Sequence, residues 1–318
     1  MAISDYIKNS IGLAYADADK TILVDEINSG LAYVGKAPVG SLTSEAKWSV
    51  ARIYKQGNIF ETKYASSGGR DQIWDNRASL FGTPAFSNLN SIQFDGVNDY
   101  LAAPHSTDLN FERTNTFSVS MWVKLNTIAV THFLIAKREN AGNVRGWQIG
   151  FTAGVGLTFI LSSTNVGNRA FIQGPSLSIG VWYHLVFTYN GNSSTAGMKL
   201  YINSVSTAVT SAENTLTTTI QTSVATQIGS RDSAVANFLN GKSDDAAVYN
   251  IELNQSQVTE IYNSGIPLDV SQLGSGANLV SWWRMGDGDT YPTVLDHKGT
   301  NHMTMYNMNN SDIVTDVP

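Results

Sequence analysis

Apolar and polar residues alternate with a period of two along most of the chain. Phe117-Ser-Val-Ser-Met-Trp-Val123 and Val181-Trp-Tyr-His-Leu-Val-Phe-Thr-Tyr189 carry apolar side chains at every second position. Gly146-Trp-Gln-Ile-Gly-Phe151 and Met198-Lys-Leu-Tyr-Ile-Asn203 repeat the pattern. Successive side chains of a strand point to opposite faces, so each segment predicts one buried and one solvated face. Turn formers separate the segments: Glu139-Asn-Ala-Gly142, Asn165-Val-Gly-Asn168, Gly174-Pro175, Asn190-Gly-Asn192, Gly229-Ser230 and Asn240-Gly241. Nothing alternates strand with helix in the manner of a parallel sheet. The pattern predicts an all-β chain whose main part is a two-sheet antiparallel sandwich.

A smaller antiparallel unit is expected ahead of it. Trp48-Ser-Val-Ala-Arg-Ile-Tyr54 alternates, Gln56-Gly-Asn58 suits a turn, and Ile59-Phe-Glu-Thr-Lys-Tyr-Ala65 returns. Ser66-Ser-Gly-Gly69 interrupts, and Ile73-Trp-Asp-Asn-Arg-Ala-Ser-Leu80 supplies a third apolar segment. Within the first 30 residues, Asp5 to Leu13 suits a helical turn or two and Thr21 to Asp25 a strand. That arm is expected to order by docking on another surface. Gly82-Thr-Pro84 punctuates the link to the sandwich. Three regions follow: an arm and β module at 1–82, a sandwich at 83–268, and a segment at 269–318 that packs on or completes it.

Composition narrows the function classes. Charged residues make up only 14% of the chain and the net charge is −6, which argues against a nucleic-acid groove. Cysteine is absent, so disulfides and thiolate chemistry are excluded. The first residues show no targeting signal and no stretch approaches a membrane span, so membrane insertion is not expected and assembly in a cytoplasm is.

Five landmarks carry a specific resemblance. They are Phe94-Asp-Gly-Val-Asn-Asp-Tyr100, Phe117-Ser-Val-Ser-Met-Trp122, Trp182-Tyr-His-Leu-Val-Phe187, Leu200-Tyr-Ile-Asn203 and Asp244-Asp-Ala-Ala-Val-Tyr249. Their order resembles the laminin-G-like, concanavalin A-like lectin/glucanase superfamily over residues 84 to 266. The resemblance implies a jelly roll of two packed sheets closed by a short helix. Leu253-Asn-Gln-Ser-Gln-Val-Thr-Glu-Ile-Tyr262 matches that helix, with Asn254 or Ser256 available as its N-cap. Asn278-Leu-Val-Ser-Trp-Trp-Arg-Met-Gly-Asp287 looks like the family's first strand and loop, displaced to the C-terminal side. Burial of Trp282 and Trp283 favours packing on its own domain.

A second resemblance lies in residues 48–80. Trp48, Arg52, Ile53, Gly57, Tyr64, Ala65 and Ile73 through Leu80 resemble a module that recurs in tailed-bacteriophage virion proteins. The closing Ile313-Val-Thr-Asp-Val-Pro318 is also similar to phage-encoded relatives. Together these imply a virion location after assembly in a host cytoplasm, with capsid or tail proteins as partners and a homo-oligomeric state. Trp48, Trp74 and Arg77 are the candidate docking residues.

Glycoside hydrolysis needs two carboxyls on either side of the scissile bond. The family's enzymes carry them as Glu-x-Asp-x-x-Glu on one strand, which this chain lacks. Asp244 and Asp245 are adjacent, so on a regular strand they face opposite ways. The five histidines show no triad or metal spacing. Calcium wants clustered hard oxygens, and Asp95, Asn98 and Asp99 offer them, with Asp244 or Asp245 facing across the sandwich edge. The alternative is that Asp95 and Asn98 only shape a turn. Sugar binding follows from the family resemblance, with Trp147 and Tyr291 as candidates. The sequence thus predicts a non-enzymatic virion structural protein, decorating a capsid or forming part of a tail or fibre. Its lectin-like jelly roll would stabilise particles or attach to host-surface glycans. A free lectin module and a glycoside hydrolase are the competing readings.

Overall fold

Every strand pairing among the described residues is antiparallel. The structure is a computed structural model that describes residues 20–28, 31–39, 42, 44, 48–56, 59–64, 72, 86, 88–232 and 236–318. The chain divides into two units, residues 1–87 and 88–318.

In the first unit, β1 (Lys20–Asn28), β2 (Leu31–Pro38), β3 (Ser49–Gln56) and β4 (Ile59–Tyr64) form a meander in that order. Gln56 pairs with Ile59, which matches a hairpin turning at 56–58. Ala32, Val34, Val50 and Ile53 are buried around Trp48, which is fully buried. The indole Nε1 of Trp48 donates to the Leu42 carbonyl at 2.9 Å. Trp48 therefore serves this unit's interior, not a docking face. Trp74, Arg77 and the helical turns expected at 5–13 lie outside the described residues.

The second unit begins with β5 (Ser91–Asp95), β6 (Tyr100–Ala103), β7 (Phe117–Leu125), β8 (His132–Arg138), β9 (Gly146–Thr152) and β10 (Gly156–Ser162). It continues with β11 (Arg169–Gln173), β12 (Trp182–Tyr189), β13 (Met198–Ile202), β14 (Val205–Thr207), β15 (Thr210–Asn214) and β16 (Thr226–Ile228). Next come β17 (Asn240–Tyr249), helix α1 (Gln255–Tyr262), β18 (Leu279–Trp283), β19 (Thr293–Val294), β20 (Met303–Tyr306) and β21 (Ile313–Val314). Nine strands form one sheet, in the order β15-β11-β10-β9-β8-β16-β6-β20-β19. Eight form the other: β14-β13-β12-β7-β17-β5-β21, with β18 also on β17.

The core lies between the sheets. Phe94, Val119, Met121 and Val123 of the eight-stranded sheet meet Trp147, Ile149, Phe151 and Phe159 of the nine-stranded one. Phe117 is an aromatic hub, with ring centroids 4.5 Å from Phe111, 5.9 Å from Trp147, 5.9 Å from Phe159 and 5.8 Å from Tyr189. Each such pair adds about 0.5–1.5 kcal/mol beyond simple burial.

The C-terminal segment adds strands to both sheets: β18 pairs with β17, β20 with β6 and β21 with β5. Trp283 enters the core and Trp282 lies on the outer face of the eight-stranded sheet; both are buried. The tail is held by Asp316, whose carboxylate lies 2.9 Å from both Lys124 Nζ and Lys242 Nζ. Helix α1 starts at Asn254, whose side chain accepts from the Gln257 N–H while Gln257 reaches back to the Asn254 N–H. One expected turn is corrected. Asn240 and Gly241 open β17, opposite Asp95 and Phe94, because the turn completes before them.

Candidate functional site

The five carboxylate and amide residues expected to hold calcium do not converge. Asp95 pairs with Asn240, so Asp244 stands about 13 Å further along β17. At the first cluster, Asp95 Oδ1 accepts from the N–H groups of Val97 (2.7 Å) and Asn98 (3.3 Å). Asp99 Oδ2 accepts from the Asp95 N–H at 3.0 Å. These bonds shape a turn at Gly96, where φ is +79°. Burial pushes the Asp99 carboxyl up to about 6, with the nearby Asp95 and Asp312 charges adding to the effect. Among the described residues no three His, Asp or Glu side chains are grouped to hold a metal ion. The donors present do not make a calcium cage.

Asp244 and Asp245 depart from the regular strand. A bulge in β17 shifts its register against β7 between Asp244 and Ala247, and Asp245 adopts φ +42°. The two side chains do not simply alternate; both are buried, with Asp245 N–H donating to Asp244 Oδ1 at 2.9 Å. Asn88 Nδ2 donates to Asp244 Oδ2 at 2.7 Å, and Trp282 Nε1 donates to Asp245 Oδ1 at 2.9 Å. Burial and the adjacent Asp245 raise the Asp244 carboxyl well above the usual range. Burial raises Asp245 to about 7, against the opposing pull of Arg284 and the Trp282 bond. Raised carboxyls can mark general acids. Here both are buried in the packed seam between β17, β18 and the 88–90 segment, bonded to Trp282 and Asn88.

His184 lies on the same sheet, its Nε2 2.8 Å from Ser120 Oγ and its ring between Trp122 (5.0 Å) and Tyr262 (5.7 Å). Complete burial pushes it down to about 3. It is a neutral packing residue.

The two residues expected at a glycan separate. Trp147 is 1% exposed in the core, its Nε1 donating to the Leu109 carbonyl at 3.1 Å. It sits at an inward position of β9 and has no free face for a sugar. Tyr291 is 40% exposed, with its hydroxyl donating to the Met308 carbonyl at 3.0 Å.

A different surface gathers polar chemistry. Ile160, Gln148, Ala136, Gln227 and Ala102 form one cross-strand row from β10 to β6. They alternate with core residues, so the row lies on the outer face of the nine-stranded sheet. Yet Gln148 is 5% exposed and Gln227 8%. These outward-pointing amides are covered by neighbouring side chains, Gln148 by two guanidinium groups.

The two arginines stand at one side of the row. Arg138 Nη1 and Arg231 Nη1 both donate to Gln148 Oε1, at 3.2 and 3.1 Å. Arg231 lies over the Phe133 ring at 4.6 Å and donates through Nε to Asn140 Oδ1 at 3.0 Å. On the other side Tyr100 and Tyr306 stack at 4.8 Å with a 7° tilt, and Tyr306 is 43% exposed. Three strand spacings separate β8 from β20, so about 14 Å of sheet lies between the two sides.

Sequence reasoning missed these residues. Arg138 ends its strand and Arg231 sits in a turn, 93 positions apart in number, so only the register brings them to one amide. The legible signal was the outward Gln148 between core residues Trp147 and Ile149.

Comparison with known proteins agrees with this fold. A family model described as the concanavalin A-like lectin/glucanases superfamily matches residues 95–259, just over half the chain. No curated protein matches the chain. Among solved structures, a proposed carbohydrate-binding protein from Bacteroides ovatus aligns over 92% of this chain and 81% of its own, at 13% identity and TM-score 0.50. A native heptameric SAP-like pentraxin from Limulus polyphemus covers 55% of this chain and 82% of its own, at 18% identity and TM-score 0.42. The CBM40 of Ruminococcus gnavus IT-sialidase, bound to α2,3 sialyllactose, covers 56% of this chain and 100% of its own, at 15% identity and TM-score 0.42. At these identities the likeness concerns the fold alone.

Proposed function

This chain belongs to the concanavalin A-like lectin/glucanases superfamily, and from that premise we propose that it is a non-enzymatic carbohydrate-binding module displayed on a tailed-phage particle. The polar and aromatic cluster on the outer face of the nine-stranded sheet carries the reading. It combines convergent amides and guanidinium groups with a stacked tyrosine pair whose Tyr306 is exposed, the mixture that sugar sites use to bond hydroxyls and cover ring faces. The Bacteroides ovatus protein, which aligns over most of both chains and is itself proposed to bind carbohydrate, supports the same reading.

A binding role also fits the acids. Asp244 and Asp245, whose carboxyls are raised by burial, lie on the opposite sheet and are bonded to Asn88 and Trp282. The outer-face row itself contains no Asp or Glu.

The particle reading rests on the sequence of the first unit and of the tail. Residues 1–82 would dock on capsid or tail proteins, with several copies of the chain assembled together and the sandwich turned toward a host glycan. Mass spectrometry of purified phage particles tests the location: the chain recovered at stoichiometric amounts supports it, and its absence from washed particles overturns it. A glycan array with the full chain tests the binding. Retention of a defined set of sugars supports the reading, and none retained overturns it.

A further inference from the structure

The outer face of the nine-stranded sheet holds more positive charge than its neighbours neutralise. Arg169 is ion-paired with Glu213 at 2.5 Å, and Arg145 with Glu139 at 3.4 Å. Among the described residues, no carboxylate lies within ion-pair distance of Arg138 or Arg231. Arg138 Nε donates to Ser162 Oγ at 2.8 Å and to the Val144 carbonyl at 3.3 Å. Its Nη1 shares Gln148 Oε1 with Arg231, and its Nη2 is buried with no hydrogen-bond partner. Arg138 as a whole is 3% exposed.

Two guanidinium groups converging on one neutral oxygen is an expensive arrangement. A buried charge is normally paired, and a like charge beside it adds repulsion. The chain carries a net charge of −6, so acids are plentiful. None of the described ones is placed here. Burial, with the Arg231 and Arg169 charges adding to it, lowers Arg138 to about 9. Burial lowers Arg231 as well.

We infer that the Arg138–Gln148–Arg231 cluster takes the carboxylate of an acidic sugar, which displaces the Gln148 amide oxygen from between the two guanidinium groups. The inference rests on the carbohydrate-binding reading above and narrows its ligand class. The Gln148 amide is planar and presents one sp² oxygen to both arginines, as a carboxylate would, but without the charge. A carboxylate in its place offers two oxygens, enough to give each guanidinium an acceptor and to reach the orphaned Nη2 of Arg138. A tetrahedral sulfate matches that planar slot less well. The half-buried Arg231, stacked on Phe133, is the group an arriving ligand meets first.

The test uses the full chain on an array of glycans ending in glucuronate, galacturonate or N-acetylneuraminate. Their carboxyl-reduced forms and sulfated neutral sugars are the comparisons. The expected result is binding to a carboxylated glycan that falls at least tenfold on carboxyl reduction. It should fall to a similar degree in Arg231→Ala, and by less in Arg231→Lys, which keeps the charge but not the fork. Gln148→Glu supplies the missing carboxylate within the chain; it should abolish binding of the acidic glycan and raise the melting temperature. Neutral glycans bound equally well, with no response to Gln148→Glu, would overturn the acidic assignment while the carbohydrate-binding reading stands. Preference for sulfated over carboxylated sugars overturns the carboxylate. A melting temperature lowered by Gln148→Glu overturns the vacancy between the arginines, whatever the array shows. No glycan retained by the wild type overturns the broader reading and this one with it.

Discussion

The backbone N–H of Asp245 donates to the Oδ1 of Asp244 at 2.9 Å, so two neighbouring acids of one strand share a buried seam. The left-handed Asp245 makes this possible. A regular strand would have sent one of the two side chains to each face.

That relationship sets a pH dependence. Burial raises the folded-state pKa of Asp245 to about 7, above the ordinary carboxylate value of 3.8. The folded protein then holds a proton that the unfolded chain releases, so this contribution to stability is complete below about pH 4 and lost as pH rises through 7. Asp245→Asn removes the titration, keeps an oxygen for Trp282 Nε1, and tolerates φ > 0. The variant should be more stable than wild type at pH 8, by on the order of 1–3 kcal/mol. The two should converge at pH 4. Urea unfolding at the two values checks this; equal stability at pH 8 would contradict it.

His184 imposes the opposite slope. Its folded pKa is lowered to about 3 from 6.5, so its contribution is complete above pH 6.5 and lost as pH falls toward 3. His184→Phe retains a ring between Trp122 and Tyr262 but strands the Ser120 hydroxyl. At pH 7 it should cost about 1–2 kcal/mol. At pH 4 the deficit should shrink or vanish, because wild type alone must resist protonation there. A deficit that stays constant from pH 7 to pH 4 would show that His184 is not the group titrating.

Gly229 tests the packing of the landmark phenylalanine. Its φ is +83°, and a Cβ there would lie 2.7 Å from the buried Phe94 ring. Gly229→Ala should cost about 2–4 kcal/mol, from backbone strain plus overpacking. Phe94→Leu shortens the obstructing side chain. The double variant should therefore be more stable than the sum of the two single effects predicts. Strict additivity in a double-mutant cycle would remove the clash as the cause.

How much of this was legible in the sequence follows from where the information lies. Alternation at Phe117 to Val123 marked a buried face, and the Leu253 to Tyr262 segment announced its helix and its Asn254 cap. These are local signals, set by period and by one side chain's bond to nearby backbone. The β17 bulge left no such mark, because Asp-Asp in a strand has the same pattern with or without it. Trp147 was misplaced for a related reason: the pattern showed which residues share its face of β9, and the register decides that this face is the core. The outer-face cluster was least legible of all, since Arg138, Gln148 and Arg231 meet only through pairings of β8 with β9 and β16.

Calcium can be separated from turn-making by a melt. Asp95 Oδ1 and Asp99 Oδ2 are already bonded to backbone N–H groups, and Asp244 stands about 13 Å further along β17. EDTA should leave the melting temperature unchanged, and 1 mM-scale calcium should add less than about 1 kcal/mol, the stabilisation of a ligand present near its dissociation constant. A rise of several degrees with calcium, lost in Asp99→Asn, would restore a site at this turn.

Trp147 and Tyr306 should behave in opposite ways. Trp147 fills the core beside Phe117, so Trp147→Ala should cost about 3–5 kcal/mol and lower stability before it says anything about ligands. Tyr306 stands 43% exposed on Tyr100 on the outer face of the nine-stranded sheet. Tyr306→Ala should change stability by about 1 kcal/mol or less but weaken glycan binding roughly tenfold, the loss of one aromatic contact. Tyr306→Phe preserves the ring and should preserve most of the affinity. Calorimetric titration of both variants against the best array glycan decides the matter. If Tyr306→Ala binds as wild type does, the sugar lies at the arginine side alone and the stacked tyrosines only close the sheet.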